Sequence, residues 1–244
     1  DYISTDVGEA GKVDEQFGKG KRGPPRVKVT VGNPKKLRIM KRPKDKLYYI
    51  VRKQHWGIPI GAGTNSPPLA CSKAHADQPC YFCAIVNQYY NSADPRKIAI
   101  ASKIKANPTA ITQVLDLDDM LNPDGTPKVQ ALHLTWSTHQ DLQKYFAPDM
   151  GYGDICHPGT GRNVKMTAEK VSDQKAGGEK QEWTTYSVVM GASPSEIALP
   201  AALDHLMDLD AEYPIKLFTF EEQQAIFEGS RNPNTAGALS AGVD

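Results

Sequence analysis

Three of the chain's four cysteines fall within the stretch CSKAHADQPCYFC, residues 71 to 83, and this clustering constrains the fold more than any other feature of the sequence. At 244 residues the chain is long enough to bury a core without disulfide staples. The start, DYISTDVGEAGKVDEQ, has no basic-plus-apolar leader, and no apolar run approaches the roughly 20 residues that span a bilayer. A soluble intracellular protein without membrane attachment is expected. In a reducing compartment, closely spaced cysteines bind metal more readily than each other.

Cys80-x2-Cys83 has the spacing of a zinc knuckle, and Cys71 precedes it across a polar loop of eight residues. Thiolates suit zinc, which takes four ligands in a tetrahedron, so three cysteines leave one position to fill. Two histidines compete for it. His75 lies inside the loop; His55 lies before Cys71 with fifteen residues between them, at the end of an apolar strand pattern, where a ligand would pin the loop to a sheet. That pinning favours His55, although spacing alone leaves both open. Cys156, in GDICHPG, is expected to be a buried free thiol. A closed shell of four protein ligands implies a structural zinc that orders a loop.

The formal net charge of +1 conceals an asymmetry. Between Lys19 and Lys53 there are 14 Lys or Arg and a single acid, Asp45. Residues 1–25 lack periodicity and predict a flexible basic arm; 229–244 likewise predict a disordered end. Between them, 26–228 predict one core with a zinc subdomain at about 54–95. RVKVTV (26–31), KLRIMK (36–41), KLYYIVRK (46–53), KIAIASKI (97–104), AITQVLDL (110–117), VQALHLTW (129–136), NVKMTAEKV (163–171) and WTTYSVVM (183–190) all predict strands. HQDLQKYF, capped by Ser137 or Thr138, predicts a short helix, as do ALPAALDHLMDL and TFEEQQAIFEG; in the last, Thr219 and Glu222 form a capping box and Gly229 a stop. Many short strands with few helices fit a mainly β protein built on an OB-fold-like barrel.

Alternation along the basic strands places one face in a core and puts Lys28, Arg38, Lys41, Arg42 and Lys46 near the other, cationic face or its edge. Aromatic residues punctuate the same region: Tyr48, Tyr49 and Trp56 flank His55, Tyr89 and Tyr90 follow the knuckle, and Trp136 comes later. Cations beside rings are what a single-strand binder requires, because phosphates meet the charges while unpaired bases stack on the rings. Alternation puts Tyr48 and Tyr49 on opposite faces, so one of the two at most is expected to stack.

The order of these features, a strand ending IVRKQHWG, then Cys-x8-Cys-x2-Cys, later VQALHLTW and DICHPGTGRNVKMTAEKV, resembles the single-stranded DNA-binding (helix-destabilising) proteins of T-even-like bacteriophages. The resemblance is strongest from Tyr48 to Tyr90. It implies a zinc subdomain inserted into an OB-fold core, with His55, Cys71, Cys80 and Cys83 as ligands and a basic, aromatic cleft for single-stranded DNA. It also implies cooperative self-association through the basic arm, contact with replication proteins, and a place in the cytoplasm of a bacterial host.

The function these readings converge on is a non-enzymatic, sequence-tolerant coat for single-stranded DNA in replication, recombination and repair. The alternatives are a zinc-containing nucleic-acid-processing enzyme and an RNA-binding adaptor. Against the enzyme, the sequence has no Gly-rich phosphate loop and no K-x-D-G nucleotidyl-transfer motif. Asp116, Asp118 and Asp119 are expected to be solvated acids and not a magnesium site.

Overall fold

A computed structural model describes residues 24–42, 47–59, 65–174 and 180–230. Nearly all of the expected arm (1–25), Lys46, and most of the expected C-terminal end (229–244) lie outside them.

Seven strands form one antiparallel sheet: β1 (Lys35–Met40), β2 (Tyr49–His55), β3 (Leu69–Ala70), β4 (Ala106–Asp116), β5 (Val129–Thr135), β6 (Asn163–Gln174) and β7 (Lys180–Met190). The hydrogen-bonded order is β3-β2-β4-β1-β6-β7, with β5 also on β4. β4 organises the sheet. Its residues 109–112 pair with both β2 and β5, and 113–115 with both β1 and β5, so β2 and β1 share one edge end to end while β5 takes the other. The inner face, with Leu37, Ile39, Ala110, Val114, Leu132 and Leu134, packs into the main core. The outer face is covered as well. The 3₁₀ turn Pro200–His205 and residues up to 213 lie across it, with Ile197, Ala202 and Leu209 buried against Met40, Leu115, Ile50 and Ile111.

The sheet is mainly antiparallel β, as the strand patterns predict, but it is open and not a closed barrel. The segment 26–31 is not a ladder strand. It touches β5 only through the Arg26–Ala131 bridge, then turns back at Thr30–Asn33, with Gly32 at φ 78°. Among the described residues no ladder joins β7 to β5.

Among the described residues six α-helices accompany the sheet: α1 (Ser72–Ala76), α2 (Tyr81–Tyr90), α3 (Pro95–Ile104), α4 (Trp136–Lys144), α5 (Leu209–Glu212) and α6 (Phe220–Phe227). KIAIASKI is therefore helical and not a strand. Asp94 accepts the Arg96 N–H as N-cap and Pro95 opens the first turn, while Ala101 and Ile104, three apart, are the buried positions. α4 starts at Trp136 because Thr135, two or three residues before the expected caps, accepts the Thr138 N–H. ALPAALDHLMDL does not form one helix; Leu206 is extended, and α5 restarts under the Asp208 cap. The capping box on α6 forms as expected, with Gly229 at φ 76° just beyond it.

Between β2 and β4 the chain makes one excursion, residues 56–105, carrying β3, α1, α2 and α3. It has its own core, in which Leu69, Phe82, Val86, Ala101 and Ile104 are joined by Phe218 and Ile226 from the C-terminal segment. This core thus draws on residues well outside the expected limits of about 54–95.

Candidate metal centre

His55 is the last residue of β2 and is wholly buried. Its Nδ1–H donates to the Ile104 carbonyl at 2.8 Å, which leaves Nε2 facing the cysteines, 3.3 Å from Cys80 Sγ and 3.7 Å from Cys83 Sγ. Cys71 follows β3, and its Sγ lies 3.5 Å from that of Cys83. Cys80 is the N-cap residue of α2, without a capping hydrogen bond from its side chain, and Cys83 lies in the first turn. The four ligand atoms lie within 4.8 Å of one another. A tetrahedral zinc with Zn–S near 2.3 Å and Zn–N near 2.0 Å has edges of roughly 3.5–3.8 Å, so this donor set can hold such an ion with little movement. The hydrogen bond from His55 to Ile104 is the kind of outer contact that fixes a ligand's tautomer.

Without metal the four groups perturb one another. Burial is the largest influence on His55 and opposes its protonation, yet hydrogen bonds with Cys71 and Cys80 and the Ile104 carbonyl together raise its pKa to about 9. Hydrogen bonds from Cys80 and Cys83 hold the Cys71 thiol far below its ordinary range, and bonds with Cys71 and Cys80 push Cys83 up. His75 stands apart. It is half-buried, and its Nε2 lies 3.0 Å from the Lys53 N–H and 3.1 Å from the Lys53 carbonyl. Of the two candidate histidines, His55 is the one that joins the cysteines. Cys156 is buried and free, as expected, with burial raising its pKa.

The residues expected on the cationic, aromatic face separate into two groups. Lys28 and Lys41 are exposed, with Lys41 3.7 Å from Asp154. Trp56, Tyr90 and Trp136 are 44%, 42% and 37% exposed, and Tyr49 and Tyr89 are half-buried. Arg38, Arg42 and Tyr48 are corrections: all three are buried. Arg38 is covered because the outward side of β1 faces protein; its guanidinium donates to His157 O (2.7 Å), Ser195 O (3.0 Å) and Ser195 Oγ (3.1 Å). Arg42 pairs with Asp210 and donates to the Tyr49 carbonyl. Tyr48 stacks on Phe146 with ring centroids 4.5 Å apart. Asp116 is also buried, bound to Lys35 at 2.7 Å, and is not the solvated acid expected.

Sequence reasoning missed the residues behind the cysteines. Gln223 on α6 contacts Cys80, Tyr81 and Ser72, and no spacing rule links residues some 140 positions apart. It also missed Trp183, 41% exposed on β7. Between 27–30, β5 and the start of α4 runs a groove of about 290 Å³, with Lys28, Thr135, Thr138 and Tyr186 in its walls. Among the described residues no helix is long and apolar enough to cross a membrane.

Fold and site together define a mainly antiparallel β protein with a buried His-Cys₃ cluster able to hold a metal ion. No protein-family model matches the chain, and no curated protein sequence matches it.

Proposed function

We propose that the chain is a sequence-nonspecific single-stranded DNA-binding protein that coats and protects DNA in phage replication, recombination and repair. In this reading His55, Cys71, Cys80 and Cys83 hold a structural zinc, and the protein has no catalytic role. It works in the bacterial cytoplasm, associates with itself through the basic arm, and meets replication proteins. The resemblance to the helix-destabilising proteins of T-even-like phages supports this assignment.

The observation that carries it is where exposed rings and exposed cations lie relative to the metal cluster. Lys53 and Trp56 bracket His55, so both are attached to a wholly buried ligand while they face solvent. On the same excursion Tyr90 is exposed and hydrogen-bonds Ser102 of α3, Lys97 lies over the Tyr89 ring, and Lys103 and Lys105 are exposed near the end of α3. Rings held in place by a metal-ordered loop can stack on unpaired bases at low entropic cost, and the lysines can neutralise phosphates.

The chain's three tryptophans are all more than a third exposed and report the test directly. Intrinsic fluorescence is titrated with a single-stranded oligonucleotide, its duplex and the matching RNA, each at low and moderate salt. The reading expects quenching by the single strand, a much weaker duplex response, and affinity that falls with salt at a slope of about −0.7 per neutralised phosphate. Equal response to single strand and duplex, or none to either, refutes it; preference for RNA moves the assignment to an RNA-binding protein.

A further inference from the structure

The metal cluster has a neighbour whose arrangement its own stability does not explain. Gln223, on α6, is 1% exposed, and both ends of its amide reach the cysteine-bearing segments. Its Oε1 accepts the Tyr81 N–H at 3.0 Å and lies 3.3 Å from Cys80 Sγ. Its Nε2 donates to Ser72 Oγ and to the Phe218 carbonyl, both at 2.7 Å. Ser72, itself fully buried, also donates to Phe218 O at 3.2 Å.

The amide has one workable orientation. Reversing it would set Nε2 against the Tyr81 N–H and Oε1 against the Phe218 carbonyl, donor on donor and acceptor on acceptor. The Tyr81 N–H belongs to the first turn of α2, which needs an outside acceptor, and the Cys80 side chain does not cap that turn. Gln223 supplies the acceptor from another part of the chain. Tyr81 directly follows Cys80 and Ser72 directly follows Cys71, so one side chain holds the backbone beside one cluster cysteine and the hydroxyl side chain beside another. The Tyr81 ring closes the same contact, lying edge-on to Phe220 and Phe227 of α6 at 5.2 and 5.9 Å.

We propose that Gln223 is a positioning residue of the metal centre that ties two cysteine-bearing segments to α6, so that metal occupancy and docking of residues 218–228 support each other. The inference rests on the metal reading of the cluster and is independent of nucleic-acid binding. Coupling of this kind is reciprocal: whatever α6 adds to metal affinity, the metal returns to α6. Outer contacts of this type contribute about 10–100-fold to metal affinity.

The test uses the full chain, stripped of metal and reloaded with Co²⁺. Affinity is read by competition with a chromophoric chelator, and ligand geometry by the cobalt d–d and sulfur-to-cobalt absorption bands. Gln223→Met keeps length and apolar bulk but none of the hydrogen bonds. It is expected to weaken cobalt binding about 10–100-fold and to shift the bands. Ser72→Ala, which removes one acceptor of Nε2, is expected to act in the same direction by less. In the wild type, metal removal is expected to speed hydrogen exchange at residues 224–228 as well as around Cys80. Gln223→Met with wild-type affinity and spectrum overturns the proposal. Should that variant not fold, unchanged protection of α6 after metal removal from the wild type overturns it equally. A wild type that binds no cobalt sinks the metal reading and this inference together, a result distinct from either.

Discussion

Replacing Arg38 tests whether the basic strand β1 faces a ligand or protein. Strand alternation predicts a surface cation whose removal weakens nucleic-acid binding and spares the fold. The structure leads to the opposite expectation. Arg38 is 1% exposed and makes three hydrogen bonds of 3.1 Å or less to His157 and Ser195, with longer ones to Asn163 Oδ1 and the Pro158 carbonyl. A hydrogen bond from a charged donor contributes about 1.5–3 kcal/mol, and an acceptor left buried without a partner costs about 1–3 kcal/mol. Against this stands the cost of burying the guanidinium, several kcal/mol, the same desolvation that lowers its pKa. Three good bonds at about 2 kcal/mol each, less some 2–3 kcal/mol recovered by no longer burying the charge, leave a loss of about 3–4 kcal/mol for Arg38→Ala. In a chain of this size that lowers Tm by about 10 °C. Arg38→Lys keeps the charge, but one nitrogen replaces the two of the guanidinium, so the bonds that Nη1 makes to Ser195 Oγ and Asn163 Oδ1 are lost, and about half of the loss is expected. Urea unfolding followed by tryptophan fluorescence and near-ultraviolet circular dichroism measures both variants, with single-strand affinity read at a temperature where each is folded. A variant that unfolds at the wild-type midpoint yet loses affinity refutes the buried clamp and returns Arg38 to a binding surface.

The same clamp makes a second prediction at Gly161. A Cβ there would lie 2.5 Å from the Ile155 and His157 carbonyl oxygens and 2.7 Å from Arg38 Nη2, so Gly161→Ala is expected to cost about 2–3 kcal/mol, and an unchanged unfolding midpoint contradicts the packing. Cys80→Ser is expected to abolish stoichiometric zinc and lower Tm while His75→Ala retains the metal; zinc analysis of both proteins decides, and the reverse pattern removes His55 from the site. If the excursion carries the nucleic-acid contacts, Trp56→Ala is expected to weaken single-strand binding by about 1–3 kcal/mol with zinc content intact, and unaltered affinity rejects Trp56 as a stacking platform. Burial, and then the Arg26 charge, lower the His133 pKa to about 4. Unfolded chains bind a proton at His133 below about 6.5 while the folded state refuses it. Stability from this group is thus complete above pH 6.5 and falls as pH drops toward 4. Urea midpoints at pH 7.5, 5.5 and 4.5 should show that decline shrinking in His133→Gln, a comparison that separates His133 from acid release of the metal; identical slopes refute it.

Much of the fold can be read from side-chain periodicity because the strands in question have buried faces of fixed parity. Leu37 and Ile39 alternate into the main core, and the NVKMTAEKV and WTTYSVVM runs pair as β6 and β7. The cysteines of the candidate metal cluster were equally legible, since their spacing is local; spacing left His55 and His75 both open, and it is the end of β2 that sets His55 beside the cysteines. What could not be read depends on what covers a surface. Arg38 and Tyr48 alternate as surface residues do, but the outward side of β1 receives Ser195 and Tyr48 receives Phe146 from distant parts of the chain. KIAIASKI alternates like a strand, and the decisive signal was the Asp94-Pro95 pair just before it, which starts a helix. Barrel closure failed for a similar reason: 26–31 has a strand's composition, but it turns back at Gly32 after a single bridge.

His55 and Ala106 are cross-strand partners in the β2–β4 ladder, so the residues that open and close the excursion stand side by side, about 5 Å apart. A detour whose entrance and exit coincide makes no demand on the strands it leaves. It could be lengthened, trimmed or replaced by a tight turn, and β2 and β4 would still meet as a hairpin. The segment that carries three of the four cluster residues is in this sense a cartridge, transferable to another sheet wherever two adjacent strand ends are free and one of them offers a histidine in the place of His55. Its removal would be felt at the end of β2, which loses β3 as a neighbour, and at Phe218 and α6, whose seat would go with it.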